Sequence, residues 1–250
     1  MAVKINLPQR SSIVGVEDIC QNLFSPFGTV VENPSPSLVP SAQIKKLPPN
    51  SVQANQGSAL KYLDVTLMRD YYGSAPSKQK ANAVMNMFVC APRKLLPAEH
   101  GTIEGFFPVE ILERHPYTTQ TFIPLGLSKL EAKQARYLVI VAPSLGPSSL
   151  DKNLPVPTEA AFGDRLPGRG LPDLTKLKAF LATGAQAVTY GAGTWHAPMV
   201  VIGDNAIDFV VVQFANGVGV EDCQEAELKT EGASLLIAVP NMTGKASSKL

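Results

Sequence analysis

The sequence predicts a mainly β protein, an antiparallel barrel or sandwich with few helices. Three observations carry that expectation. Short runs rich in β-branched residues recur along the chain, most are bounded by Pro, Gly or Asp, and only two stretches show helical spacing.

Taken in order, Val16 to Leu23 reads as the first helix. Ile19, Leu23 and Phe24 share a stripe that stops before Pro26 and Gly28. Leu60 to Leu67 then alternates, with Leu63, Val65 and Leu67 on one face, as a strand should. Further strands are expected at Val84 to Cys90, Gln120 to Leu125, Tyr137 to Val141, Gln186 to Tyr190, Met199 to Ile202, Ile207 to Phe214 and Ser234 to Val239. Pro172-Asp173 opens the second helix, with Leu174, Leu177, Phe180 and Leu181 along one side and Gly184 at the C′ position. Asn33 to Asn50, Asp70 to Lys80 and Pro143 to Pro172 are rich in Pro, Gly or Ser and read as loops or insertions. None requires a domain boundary, and no repeat of fixed period is visible.

Composition removes several function classes. The 250 residues are 45% hydrophobic and 17% charged, with a net charge of +1, which suits an ordered core. The longest basic run is Lys45-Lys46, so nucleic-acid binding has no electrostatic support. Apolar stretches such as Phe209 to Val212 are too short to span a bilayer, so no membrane insertion is expected. Cys20, Cys90 and Cys223 are odd in number and widely spaced, and read as reduced thiols. The N-terminus carries no continuous apolar run of the secretory kind. Ser248-Lys249-Leu250 matches the tripeptide read by the peroxisomal import receptor, behind a polar stretch from Thr243 to Ser247. A peroxisomal location is therefore expected, with the cytoplasm as the alternative if the tripeptide is not read.

The chemistry concentrates in two histidine clusters. Imidazole moves protons near neutral pH better than other side chains, and the chain has three histidines. Glu113-Arg114-His115-Pro116 puts Glu113 and His115 on one face of a strand and Arg114 on the other. A carboxylate beside an imidazole supports a general base, whereas the bland reading is an exposed strand end. Arg114 alone is a structural ion pair or a carboxylate clamp. Gln120 opens an otherwise apolar run, and a buried amide must find a partner. Thr194-Trp195-His196-Ala197-Pro198 follows Gly191-Ala192-Gly193, glycines that permit a tight turn. Trp195 reads as a pocket wall and Tyr190 as an acid or donor, each set against a plain packing role.

Other motifs are weak. Gly191-Ala192-Gly193 and Gly217-Val218-Gly219 lack the helix and third glycine of a nucleotide fingerprint, and no GxSxG or Walker lysine occurs. A β-barrel metal site wants about three imidazoles and a carboxylate. Only His100, His115 and His196 are present, with His100 in the loop-like Pro97 to Gly101. Glu221-Asp222-Cys223 offers further ligands but reads as an exposed turn.

In order along the chain, these residues resemble the ureidoglycolate lyase family in a fungal-type form. The resemblance is carried by Phe24 to Val31, Asn55-Gln56-Gly57 with Lys61-Tyr62, Glu113 to Pro116, and Thr119 to Pro124. It continues through Val139 to Ala142, Leu174 and Leu177 with Ala179-Phe180, Gly184, Gln186, Val188, Tyr190, Trp195-His196, Pro198, Asp208-Phe209 and Asp222-Cys223. It covers most of 16–240, with insertions near 70–108 and 144–172.

The resemblance implies a cupin-like β-barrel and a homodimer; one catalytic domain is expected over 1–242, single or internally duplicated, and the polar residues at 243–250 read as a flexible tail. It implies a carbon–nitrogen lyase that splits (S)-ureidoglycolate into glyoxylate and urea at the end of purine breakdown. It also implies a divalent metal such as nickel or zinc, with His115 and His196 as candidate ligands. On that basis His115, oriented by Glu113, is expected as base or ligand, and His196 or Tyr190 as proton donor. Gln120 is expected to bind the urea or carboxylate, Arg114 or Lys61 to anchor the carboxylate, and Trp195 to line the pocket. An amidohydrolase releasing ammonia and a non-catalytic carboxylate-binding module are the alternatives.

Overall fold

A computed structural model describes residues 2–7, 10–99, 101–158, 166–229 and 232–241. His100 and the Ser248-Lys249-Leu250 ending lie outside the described residues. Among the described residues, seventeen strands are the dominant regular structure. They are β1 (Val3–Asn6), β2 (Ser12–Asp18), β3 (Gly28–Val31), β4 (Ser51–Ala54), β5 (Ala59–Tyr62) and β6 (Asn82–Cys90). Then come β7 (Ile103–Pro108), β8 (Ile111–Arg114), β9 (Gln120–Leu125), β10 (Arg136–Ala142), β11 (Lys178–Thr183) and β12 (Ala187–Tyr190). The last are β13 (Trp195–His196), β14 (Val200–Ile202), β15 (Ile207–Ala215), β16 (Gln224–Lys229) and β17 (Leu235–Pro240). Three short helices, α1 (Gln21–Phe24), α2 (Lys129–Gln134) and α3 (Gly219–Asp222), sit between them.

The strands form curled sheets that make a half-barrel, a mostly β architecture consistent with the cupin-like expectation. The larger sheet runs β1-β16-β8-β13-β10-β11-β2-β17-β7, with β14 also on β10. The smaller runs β3-β12-β9-β15-β6 and is antiparallel throughout. The larger sheet is mixed, since β1–β16, β11–β2 and β17–β2 pair in parallel.

Strand β10 explains the layering. Tyr137, Val139 and Val141 pack into one apolar cluster while Leu138, Ile140 and Ala142 pack into another. A strand covered on both faces reads as an unbroken apolar run, which is what the sequence shows from Tyr137 to Ala142. The cluster holding Val141 also contains Phe122, Val188, Tyr190, Phe209 and Val211 from the smaller sheet. It is therefore the core between the two sheets.

Both expected helices are corrected. Residues 16–18 belong to β2, which pairs with β11 and β17, and only one turn, α1, is helical. The second is a short 3-10 turn, Leu174–Lys176, capped by the Asp173 carboxylate accepting from Thr175 N at 3.1 Å, followed by β11. Like β10, β11 is buried on both faces: Ala179 and Leu181 go to one cluster, Phe180 and Ala182 to the other. That double burial removes polar alternation and leaves a spacing that imitates a helix. The Leu60 to Leu67 strand shortens to β5, leaving Leu63, Val65 and Leu67 exposed beyond it.

Candidate functional site

Two rows of side chains face each other where the sheets meet. Across the larger sheet, His196 on β13 pairs with Val141 on one side and Glu113 on the other, and Glu113 pairs with Glu225. Across the smaller sheet, Gln120 on β9 pairs with Tyr190 and with Gln213. Residues paired across neighbouring strands project to the same face. Strand alternation therefore aims His196 at the inter-sheet core and sends its neighbour Trp195 to the opposite cluster.

The rows are joined at two points. The Tyr190 ring stacks on the His196 imidazole, with centroids 3.9 Å apart and planes 11° from parallel. Gln120 Nε2 lies 2.9 Å from His115 Nε2 and donates to Gln213 Oε1 at 2.7 Å. The two imidazole centroids are 5.7 Å apart.

Main-chain carbonyls fix both tautomers. His115 Nδ1 lies 2.6 Å from the Asp222 carbonyl and His196 Nδ1 lies 2.8 Å from the Thr194 carbonyl. A carbonyl only accepts, so each Nδ1 carries the proton and each Nε2 presents a lone pair. On His115 that lone pair accepts from Gln120. On His196 it has no hydrogen-bond partner although it is fully buried. Gln120 Oε1 is a second buried acceptor without a partner. Unpaired buried polar atoms are costly, so each of these is an acceptor left available to a bound group.

Glu113 completes the group. Its carboxylate lies 3.6 Å from His196 Nε2, too long for a hydrogen bond but close in charge. Burial pushes the Glu113 carboxyl up, but the neighbouring His196 and His115 outweigh that and hold it below its ordinary value. Burial, reinforced by His196, pushes His115 down to about 4. It is therefore neutral at physiological pH. Tyr190, enclosed in the core, is raised well above its ordinary value by burial, then by Tyr137 and Glu113, and stays protonated. Cys223 lies beside Glu113 and is pushed up to about 12 by burial and by Glu113, Glu225 and Asp222, so it is a thiol rather than a nucleophile.

Glu113, His115 and His196 have ligand atoms all within 4.8 Å of one another, the spacing of a three-ligand metal group. Both histidines anchor Nδ1–H on a carbonyl, as metal-bound histidines do; the His196 Nε2 lone pair is unengaged, whereas His115 Nε2 would have to exchange the Gln120 amide for the ion.

Other expected site residues lie elsewhere. Trp195 is corrected from pocket wall to core: it is fully buried and its indole N–H donates to the Gly170 carbonyl at 3.1 Å. Arg114 is corrected from carboxylate anchor to structural tie. Its guanidinium sits 4.5 Å over the Trp195 ring and donates to Gln224 Oε1 and to the carbonyls of Gly168, Arg169 and Gly170. Lys61 is exposed on β5, and no hydrogen bond or ion pair among the described residues joins it to the histidines. Glu221 is buried rather than part of an exposed turn, accepting from Ser77 and Asn216.

Gln213 joins the expected site residues, as do the main-chain carbonyls of Asp222 and Thr194. Gln213 carried a readable signal, a lone amide inside the apolar run Ile207 to Phe214, as Gln120 did. The turn before β13 is also specific. Gly193, at φ +74°, donates its N–H to the His115 carbonyl at 2.8 Å, and a Cβ there would overlap Pro167. A cleft of about 1020 Å³ opens beside this turn, lined by Phe27, Thr66, Arg69, Tyr71, Thr119 and Gly191 to Thr194 among others. Its wall reaches Thr194 and Thr119, neighbours of His196 and Gln120, but neither imidazole.

Comparison with known proteins places the chain in one family. A family model described as ureidoglycolate lyase matches residues 11–234. The ureidoglycolate lyase of Schizosaccharomyces pombe is 37% identical over 203 residues, covering 80% of this chain and 84% of that protein. The protein of the same name in Saccharomyces cerevisiae is 32% identical over the same shares of both chains. That of Pseudomonas aeruginosa is 28% identical over 89% of this chain and 94% of its own.

Proposed function

Because this chain belongs to the ureidoglycolate lyase family, we propose that it eliminates urea from (S)-ureidoglycolate, with His196 carrying the proton. The observation that carries the assignment is the buried, unpartnered Nε2 of His196 beside a carboxylate. The reacting carbon of the substrate bears a hydroxyl, a carboxylate and the urea nitrogen. His196 Nε2 takes the hydroxyl proton, the carbon–oxygen double bond forms, and the carbon–nitrogen bond breaks. The departing nitrogen starts on the same carbon as the hydroxyl, so the same imidazole returns the proton to it. Urea leaves neutral and no water is consumed.

The neighbours suit this sequence. Glu113 balances the imidazolium formed on His196. His115 stays neutral and so adds no like charge. Tyr190 holds the plane of the His196 ring. The unpartnered Gln120 Oε1 matches the N–H donors of the urea group, with Gln213 bracing the amide.

A second reading is favoured by the same orphaned nitrogen. Glu113, His115 and His196 fit a divalent cation such as nickel or zinc. Such an ion would supply Lewis-acid polarisation of a substrate oxygen. Metal analysis of the purified protein, with activity after chelation, separates the readings: full turnover by metal-free protein leaves His196 as the base.

The decisive assay feeds (S)-ureidoglycolate and follows urea and ammonia together. Urea without ammonia is expected, and His196→Ala should lower its release by about 10²–10⁴-fold with folding intact. Ammonia as the product, or an unimpaired variant, would overturn the reading.

We also propose a homodimer. Edge strand β6 and the outer face of its sheet expose Met85, Met87, Val89, Ile123 and Leu125. An antiparallel sheet face turned to water is normally polar.

A further inference from the structure

The segment 68–80 runs alongside the site as a strap. Tyr71 N donates to the Tyr117 carbonyl at 2.8 Å, and Arg69 N to Thr119 Oγ1 at 2.9 Å. Beyond these, Ser77 donates to the Glu221 carboxylate through its N–H at 2.8 Å and its hydroxyl at 2.6 Å. The strap therefore bridges the turn after His115 and the α3 turn.

One strap side chain reaches further. Tyr72, buried and packed 5.5 Å from Tyr117, donates its hydroxyl to Asp222 Oδ1 at 2.7 Å. The Asp222 carboxylate also accepts from Asn216 N at 2.9 Å and Gly217 N at 2.7 Å. With three donors fixing its side chain, Asp222 has little freedom at its main chain. Its carbonyl ends α3, where no helical partner is available, and it is the group that His115 Nδ1 engages at 2.6 Å.

We propose that Tyr72 is a positioning residue: through the Asp222 carboxylate, its hydroxyl holds the carbonyl that fixes the His115 tautomer. If that carbonyl drifts, His115 is free to carry its proton on Nε2. It then no longer accepts from Gln120, and two N–H groups meet where a donor met a lone pair. The inference rests on His115 belonging to the catalytic group, so its test needs a readout independent of turnover.

That readout is the ring ¹⁵N spectrum of His115 at neutral pH, assigned with a His115→Gln variant in a chain of three histidines. The native ring should show one tautomer, protonated at Nδ1. Tyr72→Phe removes only the hydroxyl and should mix the tautomers, lowering kcat about tenfold while KM stays within about twofold, as loss of an outer support does. Ser77→Ala removes the hydroxyl half of the strap's tie to Glu221, keeps the main-chain half, leaves Asp222 untouched and should leave the ring spectrum unchanged. Asp222→Asn keeps the Tyr72 packing and should shift the ring in the same sense as Tyr72→Phe. A single Nδ1–H tautomer persisting in both Tyr72→Phe and Asp222→Asn overturns the proposal, whatever the rate. Mixed tautomers with an unchanged kcat uphold the positioning and remove His115 from the chemistry instead.

Discussion

At the scale of single residues, the site is a set of polar atoms whose protonation is settled by what surrounds them. His115 is the clearest case, because burial and His196 hold it neutral down to about 4, against about 6.5 in an unfolded chain. A histidine depressed by folding contributes stability that is fully present above its unfolded value and lost as the pH falls toward its folded one. Metal-free protein should therefore lose roughly 3 kcal/mol between about pH 6.5 and pH 4. Urea denaturation across that window should show the slope, and His115→Gln should flatten it. The Glu113 carboxyl, held low, contributes the same sign at more acidic pH, so the two slopes separate. Much at this scale was legible in the sequence. Glu113, His115, Gln120, Tyr190 and His196 stood out as polar groups among apolar neighbours. Their orienting partners did not, because the carbonyls of Thr194 and Asp222 belong to every residue alike and leave no mark on a sequence.

At the scale of elements, β8 and β13 do two jobs through strand alternation. One face offers Glu113 and His196 to the site, while the other buries Arg114 against Trp195. The loop at 168–170 has no strand partner for the carbonyls that Arg114 engages, so the guanidinium substitutes for a missing ladder. Arg114→Ala should then leave several buried acceptors unpaired and cost roughly 3–5 kcal/mol, measured by denaturant unfolding. Activity per folded molecule should be nearly unchanged. A KM raised many-fold at native stability would restore the carboxylate-anchor role instead. The polar pattern that exposed the site could not reveal this job, since an arginine next to a histidine looks the same in either role. For a related reason β11 imitates a helix: with both faces buried, its spacing carries no period of two.

At the scale of the whole molecule, the half-barrel leaves one surface unfinished. Strand β6 ends its sheet, and no other strand pairs with its outer edge among the described residues. Met85 and Val89 are each 72% exposed and Met87 54%, with Ile123 and Leu125 continuing the apolar face. A long, apolar, open edge is an aggregation hazard unless something covers it. A second copy covers it in an isologous way, since a two-fold axis near Met87 would set β6 antiparallel to itself and close the assembly. The face carries only Asp208 as a charged member in register with these residues, so nothing there favours a charged partner. Light scattering should accordingly give twice the 26.7 kDa chain mass. Met87→Asp would bury an unpaired carboxylate at the axis, cost several kcal/mol, and shift the protein to monomer at micromolar concentration. Urea release per chain should survive, because Glu113, His115 and His196 all come from one chain and face the inter-sheet core rather than this surface. A variant that remains dimeric would move the interface to another face, and a wild-type monomer would remove it.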